Sequence, residues 1–272
     1  MKFTGMAGWM CVAAFVATSG AVAQTSGFKP EVGQAGKDVV WVPTSDVLVN
    51  KMLDMAKVTP ADILIDLGSG DGRTVIAAAK RGVKSHGIEY NPEMVKLSQD
   101  NAAKAGVTDK ATFARADIFQ SDFSHATVIT MFLLPELNLR LRPKILDLKP
   151  GTRIVSNSFT MGDWEDDETA TATESGECSY WCIAHMWIVP AKVEGTWQFG
   201  GGKLTLKQKY QMISGSLEAG GQTIAIGGKM RGDQISFKAG GAEYTGKVNG
   251  NAIEGTVKTA SQSTAWSARR GR

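Results

Sequence analysis

Three carboxylates stand at the ends of three apolar runs: Asp66 in "ILIDLG", Glu89 in "GIEY" and Asp117 in "RADIF". The first run opens directly into Gly68, Gly70 and Gly72, with Asp71 between the last two. Glycines after a strand let a ligand approach the backbone, and the amides of the helix that follows supply hydrogen-bond donors. A dinucleotide loop requires the spacing G-x-G-x-x-G, whereas this one reads G-x-G-x-G and carries acids that repel a pyrophosphate. The pattern calls for a ligand that lacks phosphate and carries positive charge.

S-adenosylmethionine has that chemistry, with a cationic amine and sulfonium and with ribose hydroxyls that need acceptors. Glu89, 21 residues after Gly68, is placed to accept both hydroxyls, as the corresponding acid does in dinucleotide folds. Asp117 is placed to accept from the adenine amine, with Ile118 or Phe119 against the ring. Transfer of the sulfonium methyl is an in-line displacement, so the protein mainly aligns the reactants and excludes water. The run "TMFLLPELN" supplies acceptor-side candidates: Phe132 and Leu133 to line a channel, and Glu136 to orient an amine. An acid after Pro135 also suits a helix start, where it complements the helix dipole. Thr44 is read as a helix cap, with a cofactor contact as the alternative. Trp164 is read either as a substrate-side aromatic or as a packing residue.

The elements that must position these residues are legible in the alternation of "ILIDLG", "RTVIAAAKRG", "KSHGIEY" and "PEMVKLSQDNAAKAG". Strand-like and helix-like runs in turn argue for a parallel sheet covered by helices. Asn91 is the predicted N-cap of the fourth piece, Pro92 its first helical residue and Gly106 its stop. Further strands are predicted over residues 111–117, 127–133 and 152–159. The composition changes at "WIVPAKVEGTW", and 16 of the 31 glycines fall after Pro190. About eight short alternating runs follow, joined by Gly, Asn and Asp turns. An antiparallel meander closing into a small barrel is the predicted solution, because closure removes exposed edges. "GTW" and the closing "WSARR" are similar to lipocalin-like barrels, which predicts Trp197 beneath Arg269.

The segments "VPTSDVLVNKML", "LIDLGSGDGRTVIAAAKRG", "GIEYNPEMVKLS", "ATFARADIF" and "SNSFTMGDWEDD" resemble class I methyltransferases. Within that class they look closely like the ATP synthase c-subunit lysine methyltransferase family. The resemblance spans residues 41–189 and implies a Rossmann-like, seven-stranded α/β sheet, S-adenosylmethionine as cofactor and N-methylation of a protein lysine. Carried over residue by residue, the cofactor motif selects Asp66, Gly68, Gly70, Glu89 and Asp117, and the reading of the residues adds Ser69 and Ile118 to the expected cofactor site. The absence of an N/D-P-P-F/Y-type tetrad at "FLLP" argues against nucleic-acid amino methylation. Two other functions stay open: an exported binding protein with a silent nucleoside site, and a methyltransferase acting on a small molecule or lipid.

The expected organisation is a signal peptide over residues 1–23, a linker over 24–40, the methyltransferase domain over 41–190 and a basic calycin-like barrel over 191–272. Lys2, the apolar run to Phe15 and the Ala21-Val22-Ala23 pattern predict export and a periplasmic location, with an uncleaved membrane anchor as the alternative. Cleavage would leave Cys178 and Cys182; four residues along a strand are about 13 Å apart, so a bridge would require a turn or helix there, and two separate buried thiols are the favoured reading. Scattered His86, His125 and His185 match no zinc spacing, so no metal is expected. Charge is uneven: 17 Lys+Arg against 22 Asp+Glu over residues 24–190, and 12 against 5 thereafter. The basic tail suggests contact with an anionic envelope or membrane surface, and the acidic run between Glu165 and Glu177 suggests either a basic partner or a solvated loop. The acceptor is expected to be a protein, membrane-associated in one reading; no patch of basic and aromatic residues points to nucleic acid.

Overall fold

The structure is a computed structural model and describes Met1 and residues 28–174 and 176–271. The predicted signal peptide therefore lies, apart from Met1, outside the described residues. The first helix, α1 (Asp46–Met55), starts at Ser45, whose Oγ accepts from the Leu48 amide at 3.3 Å. Capping thus falls to Ser45 and not to Thr44, whose hydroxyl instead accepts from Asn157 Nδ2 at 3.1 Å. In β1 (Ile63–Leu67), Leu64, Ile65 and Leu67 are fully buried, as a strand covered on both faces requires. The alternation continues through α2 (Arg73–Lys80), β2 (Lys84–Glu89), α3 (Pro92–Lys104) and β3 (Ala111–Arg115). Asn91 caps α3 by accepting from the Glu93 amide at 2.9 Å, and Gly106 follows its end at φ +69°. β4 (Val128–Met131), α4 (Pro135–Leu146), β5 (Arg153–Asn157), β6 (Glu168–Thr171) and β7 (Ile183–Ile188) complete the first unit.

The strands lie in the order β3-β2-β1-β4-β5-β7-β6. All pairs are parallel except those of β7, which runs against both β5 and β6. The expectation of a parallel sheet is corrected at that edge, and the connections give the reason. Parallel neighbours need a crossover, usually a helix, whereas a loop without a helix joins β6 to β7 and permits an antiparallel return. Successive strand residues face opposite layers. Ile65, Ile129 and Ile154 pack with Leu137, Leu141 and Ile145 of α4, while Leu64, Val128 and Val155 pack with Leu48, Met52 and Leu53 of α1.

Cys178 and Cys182 are joined in a disulfide with their Cα atoms 5.8 Å apart. This overturns the reading of two separate thiols. The residues between them leave the strand conformation and bend back, with Trp181 at φ +58°, so the span of an extended chain does not apply.

The second unit is a closed barrel of β8 (Gly195–Phe199), β9 (Gly202–Lys209), β10 (Met212–Ala219), β11 (Gln222–Arg231), β12 (Gln234–Ala239), β13 (Ala242–Asn249), β14 (Ala252–Lys258) and β15 (Ser263–Arg270). Its interior is occupied by side chains, among them Trp197, Phe237, Tyr244 and Trp266. The Phe237 and Tyr244 rings stack at 4.7 Å, with Trp266 edge-on to Tyr244 at 5.5 Å. Trp197 lies beneath Arg270, at 4.5 Å, and not beneath Arg269. The register decides this, since Arg270 stands opposite Trp197 while Arg269 stands opposite Gln198.

The two units are joined through the segment before β6. Trp164 is fully buried between Trp187 and Tyr210, with ring centroids at 6.2 and 5.8 Å, which selects the packing reading of this residue. Asp163 accepts from the Tyr210 hydroxyl at 2.8 Å and from Arg142 at 2.7 Å, with Lys209 at 3.1 Å. The Tyr210 hydrogen bond, then Lys209 and Arg142, hold its carboxyl well below the usual range. Asp167 pairs with Lys229 at 2.8 Å, and Asp166 lies 3.0 Å from His185. Two of the six acids of the run, Asp166 and Asp167, together with Asp163 just before it, thus hold the sheet edge and the barrel.

Candidate active site

The order of strands reverses between β1 and its neighbours β2 and β4, and ligands of open α/β sheets bind outside the carboxyl ends at such a point. Here that crevice is lined by Asp66, Gly68, Ser69, Gly70, Glu89, Asp117, Ile118 and Phe132, so residues from the ends of separate strands converge. Glu136 does not join them; it is exposed in the first turn of α4 and absent from the lining. Its place in the first turn is that of an acid complementing the helix dipole. Thr44 does line the crevice.

The glycine loop is shaped by backbone requirements. Gly68, Gly70 and Gly72 have φ of +81°, +54° and +83°, values that favour residues without a Cβ. A Cβ on Gly72 would meet Ser98 and Phe113 at 2.7 and 2.8 Å, so this glycine also allows α2 to pack closely on its neighbours. Glu89 anchors the loop from the next strand. Its Oε2 accepts from the Gly70 amide at 3.0 Å and its Oε1 from the Tyr90 and Asn91 amides at 2.8 and 2.9 Å.

Asp71, within the loop, is already paired. Arg73 donates to it from Nη2 at 2.7 Å and from Nε at 3.0 Å. Asp66 is different: it is 6% exposed, accepts from Thr130 Oγ1 at 2.7 Å and has no cation in the ion-pair network among the described residues. Burial foremost, with the nearby Glu89 and Asp71 charges, raises its carboxyl from 3.8 to about 7. Asp117 lies at the rim with the opposite tendency. The Phe119 amide at 2.9 Å and the Lys37 ammonium at 3.2 Å hold its carboxyl below the usual range.

A pH dependence follows from Asp66. Its folded-state value lies above the unfolded one, so the folded protein keeps a proton that the unfolded chain releases between about pH 4 and 7. Stability contributed by that proton is present at low pH and is lost as pH rises through about 7. Asp66→Asn is therefore expected to be more stable than the ligand-free wild type at pH 8, by at most about 4 kcal/mol, with the difference closing near pH 4. Thermal melts at both pH values check this; a constant difference would refute a buried, uncompensated carboxylate.

Several lining residues carry no mark in the sequence. Gln34 to Val40, expected to be linker, crosses the crevice together with Trp41. The Gly33 amide donates to Trp41 O and the Trp41 amide to Gln34 O, both at 2.9 Å, which makes this stretch a closed strap. Lys37 lies 5.2 Å from the centre of the Tyr90 ring. Tyr90 is detectable by its position directly after Glu89, but the strap has no local periodicity that singles it out.

The crevice suits a cationic, hydroxyl-bearing ligand. Among the described residues, Asp66 is buried without a countercharge and Ser69 Oγ is buried without a hydrogen-bond partner. A Cβ at Gly70 would meet Trp41 Nε1 at 2.8 Å, so this glycine lets the strap pack directly on the loop.

Comparison with known proteins agrees with this geometry. Residues 66–168 match the family described as "ANTKMT methyltransferase domain". A protein-lysine N-methyltransferase of Saccharolobus islandicus is 45% identical over 133 residues, covering 48% of this chain and 83% of that protein. The ATP synthase c-subunit lysine N-methyltransferase of Mus musculus is 38% identical over 107 residues, covering 39% of this chain and 43% of the relative, so under half of the mouse protein's length is spanned. A solved structure described as an RNA methyltransferase from Salinibacter ruber in complex with S-adenosyl-L-homocysteine is 42% identical. It covers 56% of this chain and 96% of the other, with a TM-score of 0.52. On this sequence identity, coverage and shared fold, the chain belongs to the S-adenosylmethionine-dependent protein-lysine N-methyltransferase family, with a closed eight-stranded barrel appended.

Proposed function

We propose that the protein methylates the ε-amine of a lysine on a membrane-associated protein, outside the cytoplasm, with its barrel facing an anionic envelope surface. The observation that carries the reading is the buried, uncompensated Asp66 beside the glycine loop and Glu89 in one crevice. In this assignment Asp66 receives the cofactor's ammonium, Glu89 one ribose hydroxyl beside the three backbone amides it already holds, and Asp117 the adenine amine, with Ile118 against the ring. Gly68, Ser69 and Gly70 give the backbone and hydroxyl contacts. Lys37, now on Asp117, shares or yields that carboxylate when adenine enters.

The bound cofactor supplies an electrophilic methyl group. The chain's own work is to align the acceptor, exclude water and keep the amine neutral. Phe132, Met131 and Leu133 line the acceptor side, and apolar surroundings penalise the charged form of a lysine. A membrane-associated acceptor is supported by the name of the mouse relative, an ATP synthase c-subunit lysine N-methyltransferase. Export is supported by the Ala21-Val22-Ala23 pattern and by the Cys178–Cys182 bridge, since such bonds persist in oxidising compartments. The basic tail supports the surface contact.

The test is transfer of labelled methyl from S-adenosylmethionine into fractionated envelope material, separated into protein, organic extract and RNA. Label in protein, released as methylated lysine on hydrolysis, is the expected result. Label in the organic extract replaces the acceptor with a lipid or small molecule. Label in RNA replaces it with the acceptor class named for the Salinibacter structure.

A further inference from the structure

We propose that Phe132, Phe159 and Trp181 form an aromatic entrance for the acceptor amine, and that Trp181 binds this amine from a loop tied by the Cys178–Cys182 disulfide. The proposal rests on the reading of the crevice as a lysine methyltransferase site and adds the element that recognises the acceptor.

Phe132 follows β4 and lines the crevice between Met131 and Leu133. Its ring stacks on Phe159, which follows β5, with centroids 6.0 Å apart and planes inclined by 25°. Trp181 closes the group from a third segment, at 5.2 Å from Phe159 and 6.0 Å from Phe132. These three residues come from three different connections, all beyond the strand ends that form the crevice.

Trp181 is unlike the tryptophans that hold the cores. Trp164, Trp187 and Trp197 are 0% exposed, whereas Trp181 is 48% exposed and its neighbour Tyr180 is 83% exposed. Its backbone lies at φ +58°, a region that disfavours a residue with a Cβ and persists only where the surroundings impose it. The surroundings here are specific. The disulfide closes the chain from Cys178 to Cys182 around Trp181. The Ala172 amide donates to Cys182 O at 2.9 Å and the Ser158 amide to Ile183 O at 2.7 Å. An exposed aromatic is thus fixed against a crevice-lining ring by a covalent tie and two backbone hydrogen bonds.

The chemistry that such a group recognises is a cation with an apolar stem. Aromatic faces attract ammonium groups, and clusters of them hold methylated ammonium ions. The methylenes of a lysine pack against the same rings. The same entrance accommodates the unmodified amine and its methylated products.

The test uses the full chain saturated with S-adenosyl-L-homocysteine and titrated with Nα-acetyl-Nε-trimethyllysine methylamide, read by calorimetry. The wild type is expected to bind this probe and Trp181→Ala to bind it at least about tenfold more weakly, with partial recovery in Trp181→Phe. Cys178→Ser/Cys182→Ser is expected to weaken probe binding in the same direction while leaving the affinity for S-adenosyl-L-homocysteine unchanged. Equal probe affinity in wild type and Trp181→Ala would overturn the proposal, as would absence of probe binding by a wild type that holds S-adenosyl-L-homocysteine. A wild type that binds neither molecule would overturn both this proposal and the reading of the crevice. Tighter binding of uridine than of the trimethyllysine probe would also overturn it, by assigning the stacked rings to a base.

Discussion

Glu89→Gln lowers the affinity for S-adenosylmethionine by about a hundredfold or more while the chain remains folded. The expectation comes from how the carboxylate is committed. It already accepts from three backbone amides, those of Gly70, Tyr90 and Asn91, and an ionised carboxylate has roughly four acceptor positions. The same side chain therefore shapes the glycine loop, sets the start of α3 and retains capacity for a hydroxyl. Glutamine loses the charge and turns one acceptor into a donor, which faces either the backbone amides or the ribose. Charge-assisted hydrogen bonds contribute about 1.5–3 kcal/mol each, so losing two accounts for the stated factor. Calorimetric titration, with circular dichroism on the same sample, reads the result. An affinity within about fivefold of wild type would remove Glu89 from the cofactor site.

Trp164→Ala is expected to cost about 3–5 kcal/mol of stability. Trp164 is fully buried where the barrel meets the sheet, and its carbonyl accepts from Trp187 Nε1 at 2.8 Å. Removing the indole empties the space between Trp187 and Tyr210, and with it the stacking that holds Tyr210 above Asp163. Trp164→Phe offers an internal comparison. The indole nitrogen of Trp164 is buried with no hydrogen-bond partner among the described residues, so phenylalanine loses volume but also removes an unsatisfied donor. Its cost is expected to be well below that of alanine, about 1–2 kcal/mol. Urea midpoints of the three proteins check the order. An alanine variant within about 1 kcal/mol of wild type would mean that Trp164 does not hold the joint.

The two expectations probe different levels of the molecule, because Glu89 acts within one crevice and Trp164 between two folded units. A related division separates what is legible in the chain from what is not. The glycine loop, the strand-end acids and the helix start at Asn91–Pro92 can all be read directly from the residues. Each depends on a local requirement: positive φ at Gly68, Gly70 and Gly72, the strand period that delivers Asp66, Glu89 and Asp117 to one edge, and a side-chain acceptor before the first helical amide. The change of composition near Pro190 likewise marks the barrel, because short alternating strands joined by glycines have few other ways to bury one face.

Contacts between segments far apart emerge only in the folded molecule. Thr44 caps nothing because Asn157, 113 residues later, takes its hydroxyl. Arg270 and not Arg269 covers Trp197, because register selects the strand face, and a shift of one residue exchanges the faces. The strap from Gln34 to Trp41, the reversed direction of β7 and the bridge that turns Trp181 toward Phe132 depend on the path of loops. Periodicity is silent on loop paths, since it records which face a residue presents within its own element and nothing of which distant element arrives there.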